Sequence, residues 1–196
     1  MMVAALFVRK DSAYKAIAGV DAWDVMRNAR HWEGGCPVVA HPPCSQWGGL
    51  RHMARRDDAE KYMARAAVAW VRLNGGVLEH PARSTLWRDQ AMPRPGEPTD
   101  GYGWTVEIDQ WHWGHVAHKP TWLYIVGCTP AQLPPIPRRE GKSDRVISTG
   151  HGLREGMPGW RSRVTQKERE YTPPALAEWL VEVARRCAQS TSGEAK

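Results

Sequence analysis

Phenylalanine is nearly missing from this chain: one residue against 11 tryptophans in 196. Aromatic bulk must therefore come from tryptophan, whose N–H needs a partner, so several rings are expected to line a groove. Cysteine is scarce too. Cys36, Cys44, Cys128 and Cys187 show no paired spacing, which excludes a disulfide framework and a Cys-x-x-Cys zinc site. No apolar run reaches the roughly 20 residues that span a bilayer, and no basic stretch followed by an apolar core and cleavage site opens the chain. A reducing cytoplasm is the expected compartment. Acidic residues are outnumbered by basic ones, 21 to 27, leaving a formal charge of +6. That excess favours polyanionic partners, nucleic acid above all. The length suits one domain with a core large enough to fold without staples.

Hydrophobic patterning orders the rest. Val3 to Val8 reads as a first buried strand, followed by a short helix around Ala13 to Ile17 that Ser12 can cap. A second helix is expected from Asp21 or Asp24 to about Arg30. Pro37 to Ala40 is the next strand. Asp57-Asp58 opens the clearest helix, through about Leu73, with acids first and Arg72 last as the helix dipole prefers. Gly76 to Glu79, Trp104 to Ile108 and Thr121 to Val126 read as strands. Thr172-Pro-Pro starts a final amphipathic helix. Strands alternating with helices predict an α/β, Rossmann-like fold, with a mostly parallel sheet and helices on both faces. Residues 1–128 and 166–188 would form that domain. Residues 129–165, rich in Pro, Gly and Arg, form a long irregular basic insertion, and 189–196 a flexible tail.

Two strand ends carry reactive side chains. Val38-Val39-Ala40 runs into His41-Pro42-Pro43-Cys44, and Leu78 into Glu79-His80-Pro81. In a parallel sheet both emerge at the carboxyl edge, where such sheets bind ligands. A thiolate there can add to C6 of a pyrimidine. A protonated carboxyl donating to N3 would make C5 nucleophilic, so that C5 can capture an electrophile before the thiolate leaves. Arg83 and Ser84 begin a helix after Pro81, a position suited to an anion, and Lys119 can hold a phosphate or the base. His41, His80, His112, His115 and His118 invite a metal, and the His112-x-x-His115 and His115-x-x-His118 spacings are tolerable for zinc ligands. There is no paired Cys-x-x-Cys, however, and no His-x-Glu before a Pro-Cys-x-x-Cys as in nucleobase deaminases, so no metal is expected.

With these residues in view, the sequence resembles the DNA cytosine-5 methyltransferases. Pro43-Cys44-Ser45-Gln46 is similar to that family's Pro-Cys catalytic loop, and Leu78-Glu79-His80-Pro81 to its Glu-Asn-Val/Pro motif. Gln110 to Gly127 resembles the block in which an aromatic-Gly step precedes Gln-x-Arg and a strand ending on Gly. Glu168-Arg-Glu-Tyr-Thr172-Pro-Pro resembles its Arg-x-Leu-Thr-Pro segment. The four matches occur in the family's order, as in a compact phage-type relative. The resemblance implies Cys44 as nucleophile and Glu79 as the group that fixes N3. Ser45, Gln46, His80, Arg83, His115 and Lys119 would meet the substrate. It also implies S-adenosylmethionine, walled by Phe7, Asp24 and Pro42, and DNA, either duplex with a base flipped out or single-stranded. The chain departs from the family in three places. Leu6-Phe7-Val8-Arg9-Lys10 has no glycine where the cofactor loop is expected, His118-Lys119 replaces Gln-x-Arg, and Ser148-Thr-Gly-His-Gly152 is a poor match to the segment that closes the cofactor pocket. Two other readings therefore stand beside C5-methyl transfer. One is a pyrimidine-modifying enzyme that uses no S-adenosylmethionine. The other is a catalytically silent DNA- or protein-binding factor of the same fold.

Overall fold

The computed structural model describes residues 1–49, 51–147 and 154–191. Six strands form one sheet: β1 (Val3–Leu6), β2 (Val20–Trp23), β3 (Val38–Ala40), β4 (Gly76–Pro81), β5 (Gly103–Asp109) and β6 (Pro120–Val126), in the order β2-β1-β3-β4-β6-β5. Four α-helices accompany them: α1 (Asp58–Asn74), α2 (Leu86–Asp89), α3 (Gln166–Glu170) and α4 (Pro174–Thr191). The mixed α/β architecture agrees with the sequence pattern. Parallel pairing holds for β2-β1-β3-β4, whereas β6 runs against both β4 and β5. Only residues 110–119 join β5 to β6, too few for the crossover that a parallel neighbour needs, so the chain turns straight back.

Alternation along the strands sends side chains to two faces. Val3, Ala5, Val39, Val77, Leu123 and Ile125 meet Leu176, Leu180, Val183 and Ala184 of α4. Ala4, Leu6, Val38, Ala40 and Leu78 meet Ala64, Ala67, Val68 and Val71 of α1. Helices therefore cover both faces, as expected. Asp57 caps α1 by accepting from the Glu60 N–H at 3.1 Å, and acids fill its first turn.

Three expectations change. The helix anticipated from Asp21 or Asp24 to Arg30 is instead β2 plus a turn. Val20 to Trp23 pair residue by residue with Val3 to Leu6, and Asp24 accepts from the N–H groups of Met26 and Arg27. Tryptophan is divided between core and groove: Trp32, Trp47, Trp111, Trp113 and Trp179 are buried, while Trp87 and the half-buried Trp122 line a groove. Backbone carbonyls accept from two of them, Trp87 to Pro81 O at 2.9 Å and Trp179 to Pro135 O at 3.0 Å, whereas the buried Nε1 of Trp47 and Trp111 have no hydrogen-bond partner. Helix α4 continues to Thr191, past the expected start of the tail, while residues 192–196 and the Ser148–Gly152 segment lie outside the described residues. The 129–165 stretch is irregular where described, with a 3-10 turn at Pro130–Gln132 and isolated bridges Ala117 to Arg145 and Val146 to Arg163. Among the described residues no helix is long and apolar enough to cross a membrane.

Candidate active site

The chain leaves β1 for β2 on one side, then returns past β1 to β3 on the other. That reversal makes the carboxyl ends of β1 and β3 a topological switch point, the place where open α/β sheets take their ligands. Phe7 and the His41–Cys44 turn flank it. Glu79, on the neighbouring β4, reaches the same edge. So do Gln110 and Lys119, because β5 ends and β6 begins there.

Cys44 rides a tight loop whose carbonyl accepts from the N–H groups of Trp47 and Gly48 at 3.1 and 2.8 Å. Glu60, in the first turn of α1, clasps the next two residues, accepting from Ser45 Oγ at 2.7 Å and from the Gln46 N–H at 3.1 Å. Gln46 is buried and donates to Arg55 O at 2.6 Å. Ser45 and Gln46 thus shape the loop that presents the thiol. Cys44 is exposed, yet enough atoms crowd its sulfur that desolvation raises its pKa. The Glu79 carboxylate raises it further, and the Lys119 ammonium opposes both. Thiol, carboxylate and ammonium therefore share one local field.

Glu79 points to the α4 side of the sheet, 12% exposed at its side chain. His41 Nδ1 lies 3.0 Å from its Oε2, and Gln110 Nε2 donates to its Oε1 at 2.8 Å. His41 Nε2 in turn lies 2.8 Å from the buried Tyr14 hydroxyl. Burial alone would raise the Glu79 pKa, but the His41 hydrogen bond and the charge of Lys119 outweigh it and hold the carboxyl at about 2. This corrects the expectation of a protonated carboxyl donating to a base: in the free protein Glu79 is an acceptor. His41, Tyr14 and Gln110 had no assigned role in the sequence reading. Only the His41-Pro-Pro-Cys44 spacing carried a signal for one of them.

Three expected substrate contacts do not join the site. His80 projects to the opposite face of β4, fully buried against Trp87, with neither ring nitrogen hydrogen-bonded. His115 is structural: its Nδ1 lies 2.8 Å from Ala117 O and its Nε2 3.0 Å from Glu168 O, which ties the β5–β6 connection to α3. Arg83 is exposed beyond β4, on a separate groove with Trp87 and Trp122. Above the switch point, Arg9 pairs with Asp11 at 2.9 Å and Glu170 at 3.1 Å, and Arg145 pairs with Glu168, so α3 is fastened over the β1 turn. Among the described residues no cluster of three or more His, Cys, Asp or Glu side chains is placed to hold a metal ion.

The β1–β2 side of the switch point tests the implied nucleotide-type cofactor. Phe7 adopts φ 60°, a conformation that favours glycine, and its ring stacks on Trp70 at 5.9 Å. Asp24 stands at the end of β2, where a ribose would be gripped, but its oxygens are taken. Lys15 Nζ lies 2.6 Å from Oδ2, while Oδ1 accepts from Met26 and Arg27. Pro42 is buried in the turn before Cys44. As arranged, these residues do not fit S-adenosylmethionine: no glycine backbone admits it and no free carboxylate receives its ribose.

The two titratable groups of β4 make stability fall with acid, in two steps. Burial drives the His80 pKa from 6.5 down to about 4. An unfolded chain therefore takes up a proton that the fold refuses, and stability is lost as the pH falls from 6.5 towards 4. Glu79 contributes stability that is present above 4.5 and lost as the pH drops towards 2. Urea unfolding should show a loss of roughly 3 kcal/mol from the His80 step. His80→Phe should flatten the curve between pH 7 and 5, and an unchanged slope there would discount His80.

No family model, curated protein or solved structure matches the chain.

Proposed function

We propose that this protein modifies a pyrimidine base of nucleic acid through transient addition of Cys44 to C6. One observation supports the reading: the loop after β3 carries Cys44, and β4 carries Glu79, to the same carboxyl edge of the sheet, where His41, three residues before Cys44, lies 3.0 Å from the Glu79 carboxylate. The +6 chain charge favours a polyanionic substrate. In the step itself the Cys44 thiol gives its proton to water, the sulfur–C6 bond forms, and the C5=C6 π electrons move to C5, which takes a proton from water. Loss of a proton from C5 then expels the sulfur and restores the ring. Cytosine N3 bears no hydrogen, so it takes a proton from water as the sulfur adds and returns it when the sulfur leaves. Ionised Glu79 accepts that N3–H while it is present, and the Lys119 ammonium offsets the charge of the approaching thiolate. A methyl group delivered to C5 is the outcome that the family resemblance implies. The β1–β2 side offers no cradle for its usual donor, so the reading rests on the C6 and C5 chemistry alone.

Incubation with single-stranded and duplex cytosine-containing DNA in deuterated water tests it. Deuterium should appear at C5, as read by mass spectrometry, and should be absent with Cys44→Ser. Added S-adenosylmethionine should leave the product unmethylated. Wild-type protein that exchanges no C5 hydrogen in either DNA, or Cys44→Ser that still does, would overturn the proposal.

A further inference from the structure

The hydrogen bonds behind Glu79 form a continuous line that the C6 addition does not itself require. Tyr14 Oη meets His41 Nε2 at 2.8 Å, His41 Nδ1 meets Glu79 Oε2 at 3.0 Å, and Gln110 Nε2 joins Glu79 Oε1 at 2.8 Å and Thr121 Oγ1 at 3.1 Å. Four separate segments supply these groups: the turn after β1, the end of β3, β4 and the β5–β6 hairpin. Tyr14 and Gln110 are each 1% exposed and Thr121 is fully buried. Polar groups cost stability in such surroundings unless they are paired, and these are, apart from the Gln110 Oε1. Apolar side chains of similar size in place of Tyr14 and His41 would fill the same space without that demand.

We infer that His41, oriented by Tyr14, is a positioning residue for Glu79, presenting its carboxylate to the switch point in one rotamer and as an acceptor. The inference rests on the pyrimidine reading only for what Glu79 receives; the relay stands on its own geometry. The two partners of His41 fix its tautomer between them. With Tyr14 donating to Nε2, the ring proton lies on Nδ1 and points at Glu79. The reverse tautomer would set two lone pairs against each other, Nδ1 against Oε2. Gln110 locks the second oxygen, so the carboxyl plane cannot rotate. The titratable groups around Glu79 are the Lys119 ammonium from the β5–β6 hairpin and the His41 ring, with His80 adjacent in β4 but on the opposite face of the strand. Cys44 feels the same carboxylate, together with Lys119, Glu60 and Glu170.

His41→Leu, His41→Asn and Tyr14→Phe separate positioning from mere packing. Asparagine keeps a side-chain N–H near Nδ1, leucine keeps only bulk, and Tyr14→Phe deletes one hydroxyl. Carbon NMR of the Glu79 carboxyl needs no substrate. In wild type it should stay ionised down to the acid edge of the fold. In His41→Leu its midpoint should rise into or above the ordinary carboxylate range, and His41→Asn should return it most of the way. Under the C5 exchange assay, His41→Leu should lower kcat about 10²-fold with KM nearly unchanged, and Tyr14→Phe should have a smaller effect in the same direction. A Glu79 carboxyl that titrates normally in wild type overturns the inference, and so does one that His41→Leu leaves unmoved. Wild-type protein without C5 exchange but with the NMR pattern intact would remove the pyrimidine reading and leave the relay standing. Folded state in every variant is checked by its unfolding midpoint, and His41→Asn serves as the reference should His41→Leu lose its structure.

Discussion

Glu79→Gln is expected to slow C5 exchange about 10³-fold while making Cys44 react faster with an alkylating agent. The two effects have opposite signs because Glu79 acts on two partners. Towards the base it is an ionised acceptor, and an amide cannot carry the charge that balances a protonated N3; losses of 10²–10⁴ are usual when such a group is removed. Towards Cys44 it is a negative neighbour that raises the thiol's pKa, second only to burial. Removing that charge lowers the pKa and increases the thiolate fraction at a given pH. Glutamine is nearly isosteric and still accepts from His41 through its carbonyl oxygen, so the fold should hold. Glu79→Leu, by contrast, leaves the donors of His41 and Gln110 unpaired and should cost about 1–3 kcal/mol for each. Rates of iodoacetamide labelling at Cys44, followed by peptide mass spectrometry from pH 7 to 10, read the second effect. Equal labelling profiles for wild type and Glu79→Gln would mean that thiol and carboxylate do not share a site. The C6 addition would then lose its support.

Gly76→Ala is the substitution expected to damage the fold most. Gly76 begins β4 with φ +117°, and an added Cβ would lie 2.0 Å from Val38 O and 2.6 Å from Val38 N, both backbone atoms of β3. Neither can retreat, because Val38 N donates to Gly75 O and the strand is held between β1 and β4. We expect a loss of about 4 kcal/mol or more, at the extreme of single substitutions. For a domain of this length that corresponds to a fall of roughly 8–16 °C in Tm. Gly35→Ala is the comparison: its φ of +93° imposes similar backbone strain, but nothing lies within 4 Å of the added carbon. It should cost about 1–2 kcal/mol. Calorimetry of the two variants separates clash from strain, and equal costs would show that β3 and β4 are not packed this closely. Since β3 and β4 lead into Cys44 and Glu79, Gly76→Ala should also weaken the site in whatever fraction stays folded.

How much of this was readable in advance differs from residue to residue. The strand-then-Cys44 segment and the strand ending on Glu79 were legible because short apolar runs before proline stop only one way, and parallel neighbours deliver their ends to one edge. β2 was not legible. Val20-Asp21-Ala22-Trp23 alternates too weakly to reveal a strand, and Asp21 and Asp24 look like helix caps until β1 is present to pair with. The faces were misjudged for a related reason: Glu79 and His80 are adjacent in sequence, and only the pleat decides that one meets His41 while the other is sealed against Trp87. His115 looked reactive beside Lys119, but both of its ring nitrogens are spent on the backbone: Nδ1 accepts from the Ala117 N–H, and Nε2 donates to the Glu168 carbonyl 53 residues away.

Composition and local pattern alone determined the α/β alternation, the basic surplus, the lack of a disulfide framework and the pairing of a thiol loop with an acidic strand end. These follow from periodicity and backbone chemistry, which act over a few residues. Tertiary structure alone decided that β6 runs antiparallel, that Lys15 occupies Asp24, and that Tyr14, His41 and Gln110 join Glu79 in one hydrogen-bonded line. Such facts depend on which distant groups come to lie within about 3 Å of one another, and a linear order of residues carries no such distance.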